Sequence, residues 1–149
     1  MDLSKRTIQI QKTFNAPINL VWETWTNPDY IQKWWSPKGM ETTIVTFEFS
    51  EGGIWKYAMG MSNGMEFLAE GKFKEIVASR KIISEANFKP KTEGVVIESF
   101  FENDGDTTHF KFQVVHPTEK YKDEQVKMGV RKGWEAAFER LADLLWELS

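Results

Sequence analysis

The chain has 149 residues, 19 Lys and Arg against 22 Asp and Glu, a net charge of -3, and no cysteine. That length fits one domain with a sizeable core, so residues 1–149 are read as a single domain. The acidic balance lacks the basic footprint of a nucleic-acid binder, and the lack of thiols removes disulfides, thiolate zinc sites and cysteine nucleophiles, which suits a reducing cytoplasm. No stretch approaches the ~18 consecutive apolar residues of a membrane span, and "MDLSKRTIQIQ" holds no apolar signal core. The expectation is a cytoplasmic protein with neither nucleic acid nor membrane as partner.

Residues 5–14, "KRTIQIQKTF", alternate through Ile8, Ile10 and Phe14, the period of a half-buried strand. "NAPINLVWETWTNP" then offers Asn15 as N-cap, Pro17 near the first helical position, and Leu20, Val21 and Trp25 at helical spacing, which predicts a short helix stopped at Asn27-Pro28. Another helical turn or two over Asp29–Lys33 ends in "SPKG", with Trp34 and Trp35 at the exit. From Glu41 to Val115 the pattern is strands and turns. Gly52-Gly53, Asn63-Gly64 and Asp104-Gly105 mark turns, the last two as tight hairpins, because those residues tolerate positive φ.

After His116-Pro117, a stripe of Val126, Val130, Gly133, Ala137, Leu141, Leu144 and Leu148 with charges opposite predicts one amphipathic C-terminal helix of nearly 30 residues. An antiparallel sheet with one apolar face must cover that face, and such a helix is long enough to cross it. The architecture expected is α+β: a curved antiparallel sheet of six to seven strands wrapped around a long C-terminal helix, with two short helices after the first strand. Trp146 falls about 180° from Ala137, on the polar face of that helix. It is expected to pack on a neighbouring subunit, in a homodimer, or on the N-terminal segment.

"FNAPINLVWETWTNPDYIQKWW", the "EFSEGG" turn, the Gly64 hairpin, Gly71 before "FKEI", Thr107-Thr108, and Gly133-Trp134 with Leu141 after them resemble the SRPBCC (START-like, helix-grip) superfamily. Within it they are most similar to the branch named for homology to the activator of the heat-shock protein 90 ATPase. The stretch Glu48-Phe49-Ser50-Glu51 departs from the acidic, apolar, Arg, Pro run usual in that branch. The resemblance implies a deep cavity between sheet and long helix, of a kind that commonly holds lipids, sterols or polyketides.

Candidate lining residues follow from both readings. In the family pattern the loop after the second short helix lies near the cavity mouth, so one of Trp34 and Trp35 would plug the core while the other lines the entrance; alternatively both anchor the helix pair on the sheet. Alternation places Trp55, Tyr57, Met59 and Met61, then Met65, Phe67, Ala69 and Phe73, on one face across the Asn-Gly hairpin, a surface equally suited to an adaptable pocket or a plain core. From the helix come Val130, Gly133, Trp134 and Ala137; its first half is small, so it cannot fill the space beneath it unaided. Glu85, in the poorly alternating "KIISEANF", is a candidate carboxylate of the cavity.

His109 and His116 have no ligand spacing, so no metal is expected, and no cofactor. The leading functional expectation is binding of a small hydrophobic or amphipathic molecule. The alternatives are a co-chaperone-like protein-binding module, and a cyclase or hydrolase that uses a buried Glu or Tyr57.

Overall fold

The alternating segments become one seven-stranded antiparallel sheet in the order β1-β7-β6-β5-β4-β3-β2. Its strands are β1 (Thr7–Phe14), β2 (Met40–Phe47), β3 (Ile54–Met61), β4 (Glu66–Val77), β5 (Lys81–Lys89), β6 (Thr92–Asp104) and β7 (Thr107–Val115). A computed structural model describes residues 3–35, 40–61, 64, 66–89 and 92–149, without the Met61 side chain. Residues 36–39, expected to end the second helix, Asn63 and Met65 lie outside these described residues.

Between the sheet's two edge strands run α1 (Ile18–Thr26) and α2 (Pro28–Trp34). Pro17, not Asn15, precedes the first turn of α1, and it offers no side-chain cap. Asn27 ends α1 and caps α2, its side chain accepting from the Asp29 amide, with Pro28 just inside the helix. One residue thus turns the chain between two helices.

The C-terminal segment differs from the single helix expected of it. It forms α3 (Glu119–Lys127) and a longer α4 (Val130–Leu148), separated at Gly129, which takes φ 85°. A left-handed residue ends the hydrogen-bonded run of α3 before α4 begins, a conformation open to glycine at little cost. Val126, placed on the buried stripe by periodicity, is consequently 44% exposed. Of the rest of the stripe, Ala137, Leu141 and Leu144 of α4 are buried and Val130, Gly133 and Leu148 half-buried, while Trp134, Phe138 and Leu145 join the buried face.

Three bulges bend the sheet. Between β2 and β3, Ile44 and Thr46 face Tyr57 and Lys56, so Val45 is extra; between β4 and β5, Lys74 is extra. Between β5 and β6, Ala86 and Phe88 face Val95 and Thr92, which puts one extra residue on β6 beside Gly94 at φ 70°. Each bulge increases local twist and breaks strict alternation. Phe47 follows Ile44 inward, Ile76 follows Phe73, and Thr92 turns inward with Val95.

The core between sheet and helices is dominated by aromatic rings. Trp25 packs 4.6 Å from Trp34, 5.2 Å from Phe110 and 6.1 Å from Phe138, centroid to centroid. On the outer face, His109 bridges Thr13 and Asp104. No helix among the described residues is long and apolar enough to cross a membrane.

Candidate binding cleft

α2 ends with two tryptophans about 100° apart on the helix, so they cannot share an environment. Trp34 is fully buried and donates from Nε1 to the Thr24 carbonyl, 2.8 Å away, locking α2 onto α1. Trp35 turns the other way, towards β3 and α4, with its ring 5.0 Å from Tyr57 and 5.5 Å from Trp134 at nearly a right angle. Trp34 thus lies in the core, while Trp35 packs on the sheet and on the start of α4.

Trp35 forms one wall of a cleft of about 220 Å³, open to solvent, between the inner face of the sheet and the start of α4. Met59 of β3, Phe67 of β4 and Phe88 of β5 form its floor. Val130, Gly133 and Trp134 of α4 close it from above, and Met40, Val114, Met128 and Gly129 complete the apolar rim. Phe88 lies 5.3 Å from Trp134 in an edge-to-face contact, so aromatic rings from sheet and helix meet at the back. A Cβ built on Gly133 meets nothing within 4 Å, and the small residue leaves the space open.

Two polar groups line the cleft among the described residues, Lys89 and Thr92. The Lys89 ammonium lies 3.0 Å from a Glu70 oxygen, with its side chain 47% exposed, and the hydrogen bond to Glu70 pushes its pKa up. The Thr92 hydroxyl is buried and donates to Oε1 of Gln125, tying β6 to α3. Tyr121 adds a second tie, its hydroxyl accepting from the Glu93 amide.

Six of the eleven lining residues proposed from sequence thus converge: Trp35, Met59, Phe67, Val130, Gly133 and Trp134. The other five stand elsewhere. Trp34 and Ala137 are core. Trp55 is buried one layer behind the cleft, its Nε1 donating to Ser84 Oγ at 2.7 Å, and its indole covers Gly71. Tyr57 packs among Trp35, Trp55 and Phe47, where burial pushes its phenol far above the ordinary range. Glu85 is corrected outright: it faces outward, 54% exposed, paired with Lys74 at 3.2 Å. The Lys74 bulge brings that partner beside it, and a carboxylate in water needs no cavity.

Met40, Phe88 and Val114, apolar strand residues, were missed, and so were Lys89 and Thr92, at strand ends, and Met128 and Gly129, in a stretch read as unbroken helix. The sign that could have found the latter four is glycine: Gly94 and Gly129 both adopt positive φ and re-aim the residues beside them. A larger hollow of about 990 Å³ on the outer face is lined by Lys12, Arg80, Lys81, Glu102 and Lys111 among others. It lacks the convergent apolar walls of a small-molecule site.

A curved antiparallel sheet closed over a long C-terminal helix, with two short helices bridging its edges, defines the helix-grip class of the SRPBCC superfamily. Residues 15–146 match the family described as Activator of Hsp90 ATPase homolog 1-like protein, and the chain belongs to that family. Its fold is similar to the crystal structure of a Mycobacterium smegmatis protein, at TM-score 0.88 and 19% identity over 99% of this chain and 96% of that one. The solution structure of an Arthrobacter aurescens protein gives TM-score 0.89 and 22% identity over 99% and 90% of the two chains. The AHSA1 protein from Silicibacter pomeroyi gives TM-score 0.80 and 13% identity over 96% and 99%. No curated protein matches the sequence.

Proposed function

We propose that this protein binds a small hydrophobic or amphipathic molecule in the cleft between the sheet and α4, acting in the cytoplasm without a cofactor. The carrying observation is an apolar cleft of about 220 Å³ whose helix side is left open by Gly133. A cavity of ~150 Å³ already takes benzene, while drug-sized ligands fill ~300–1,000 Å³. The cleft therefore suits one ring or a short chain, with the rest of the ligand outside. The absence of cysteine supports the compartment. Membership in a family named for an ATPase activator leaves protein binding as the rival reading, and the same experiment decides between them.

The test combines extraction of the purified protein into organic solvent for mass spectrometry with titration of Nile red into wild type and Gly133→Leu. A co-purified apolar molecule, or dye uptake that the leucine abolishes, supports the reading. An empty extract together with no saturable dye uptake by the wild type would overturn it and move attention to the surface.

A further inference from the structure

We infer that the ligand is an anionic amphiphile, a single short apolar chain or ring carrying a carboxylate or phosphate, with its tail in the cleft and its head at Lys89. The inference rests on the binding reading above and adds the charge of the ligand. Among the described lining residues Lys89 is the single ionic group, at the end of β5 where the cleft opens. Next in sequence to the rim residues Met128, Gly129 and Val130 stand the exposed Lys127, Arg131 and Lys132; none of them lines the cleft, and Arg131 donates to the Gln9 carbonyl at 2.9 Å, so their charge acts on the opening from a distance. No acid occurs between Glu124 and Glu135. A chain with a net charge of -3 therefore places a cation, and no carboxylate, among the described lining residues of this cleft.

Glu70 is the nearest group that competes, and the Glu93 charge acts on Lys89 as well. Glu70 neutralises Lys89 in the unliganded protein at 3.0 Å, yet it does not line the cleft. An incoming carboxylate or phosphate can take up the donors of Lys89 that Glu70 leaves unused, since an ammonium has three. The opposite charge preference also has a physical basis, because Trp35, Phe67, Phe88 and Trp134 present rings that attract cations. The two preferences predict opposite orders of affinity.

Decanoate, 1-decanol and decyltrimethylammonium share one tail and differ in head charge. Displacement of Nile red by each is measured below its micelle-forming concentration, at low salt, in wild type, Lys89→Met and Glu70→Gln. The expected order in wild type is decanoate first, by about threefold or more over decanol, the modest margin of a partly exposed and already paired ammonium. Lys89→Met removes the margin, Glu70→Gln widens it, and decyl phosphate follows decanoate, as shared anion chemistry requires. Decyl phosphate binding with the margin while decanoate lacks it assigns the head to a phosphate. If decanol binds as well as both anions, if the ammonium binds best, or if the margin survives Lys89→Met, the inference falls while the binding reading stands. If none of the amphiphiles displaces dye and no dye binds, both fall.

Discussion

Gly71 lies under the Trp55 indole in the middle of β4, and replacing it by alanine puts a methyl group where two neighbours already are. A Cβ there would stand 2.0 Å from the Glu85 carbonyl oxygen and 2.7 Å from two carbons of the Trp55 ring. The carbonyl belongs to the facing strand, where Gly71 pairs with Ala86, so it cannot rotate away as a side chain would. The ring is pinned at that same edge, because Nε1, bonded to one of those two carbons, donates to Ser84 Oγ at 2.7 Å. Overpacking of this kind costs ~1–3 kcal/mol. Displacing the indole adds about 1 kcal/mol for the lost hydrogen bond, and the stiffer unfolded chain returns ~0.4–1 kcal/mol. The expected net loss is about 1–3.5 kcal/mol. At ~2–4 °C per kcal/mol for a chain of this size, Tm should fall by about 2–14 °C. Thermal and urea unfolding followed by near-ultraviolet circular dichroism, which reports the tryptophan cluster, measure it. A variant within about 0.5 kcal/mol of wild type would refute the account of Gly71 as the seat of Trp55.

The same substitution at Gly133 should act in the opposite direction, because nothing lies within 4 Å of its Cβ position and alanine gains ~1 kcal/mol of helix propensity: Tm should rise by about 2–4 °C, read in the same scans. Gly129→Ala, at φ 85°, should cost ~1–2 kcal/mol despite equally open space, measured by urea unfolding. His116 is 1% exposed, and burial, aided by the nearby Lys122 charge, lowers its pKa, so the unfolded chain binds more protons than the folded one below about pH 6.5; stability should fall as pH drops through that window, and the slope should flatten in His116→Asn, as seen by urea titration at pH 7.5 and 5.5. Trp146 is 79% exposed, so Trp146→Ser should stay within about 0.5 kcal/mol of wild type, and a larger, concentration-dependent loss would reveal a covering second copy in sedimentation.

Alternation alone carried the fold a long way. In β7, Thr108, Phe110, Phe112 and Val114 are buried in the order period two requires, and β3 runs from Ile54 to Met61 as its turn residues mark it. What alternation could not convey is where a strand carries one residue too many. The bulge at Gly94 exchanges the faces of Glu93 and Thr92, so a reading backwards from Val95 and Ile97 aims the glutamate inward and the threonine out. With it goes the anchor between β6 and α3, Thr92 to Gln125, which no local pattern announces because the partners are 33 residues apart.

Gly129 shows the same limit on a larger scale, and it bears on why a cleft exists at all. Helical periodicity runs through the segment from Val126 to Val130 without a break, since a hydrophobic pattern records which side chains are apolar and not whether the axis is straight. The left-handed glycine separates two tasks that one straight helix would have combined. α3 packs on the N-terminal segment and on β1 and is tied to β6 by Gln125 and Tyr121, while α4 covers the aromatic core with Phe138 and Leu141. The residues at the joint, Met128 to Val130, fall to neither task and become the rim of the opening. Because α4 presents Gly133 between Val130 and Trp134, the space beneath the joint is walled by those two side chains and the sheet's rings, with no side chain filling it at Gly133. The cleft is thus a consequence of two glycines four residues apart, one bending the chain away and the other leaving the gap unfilled.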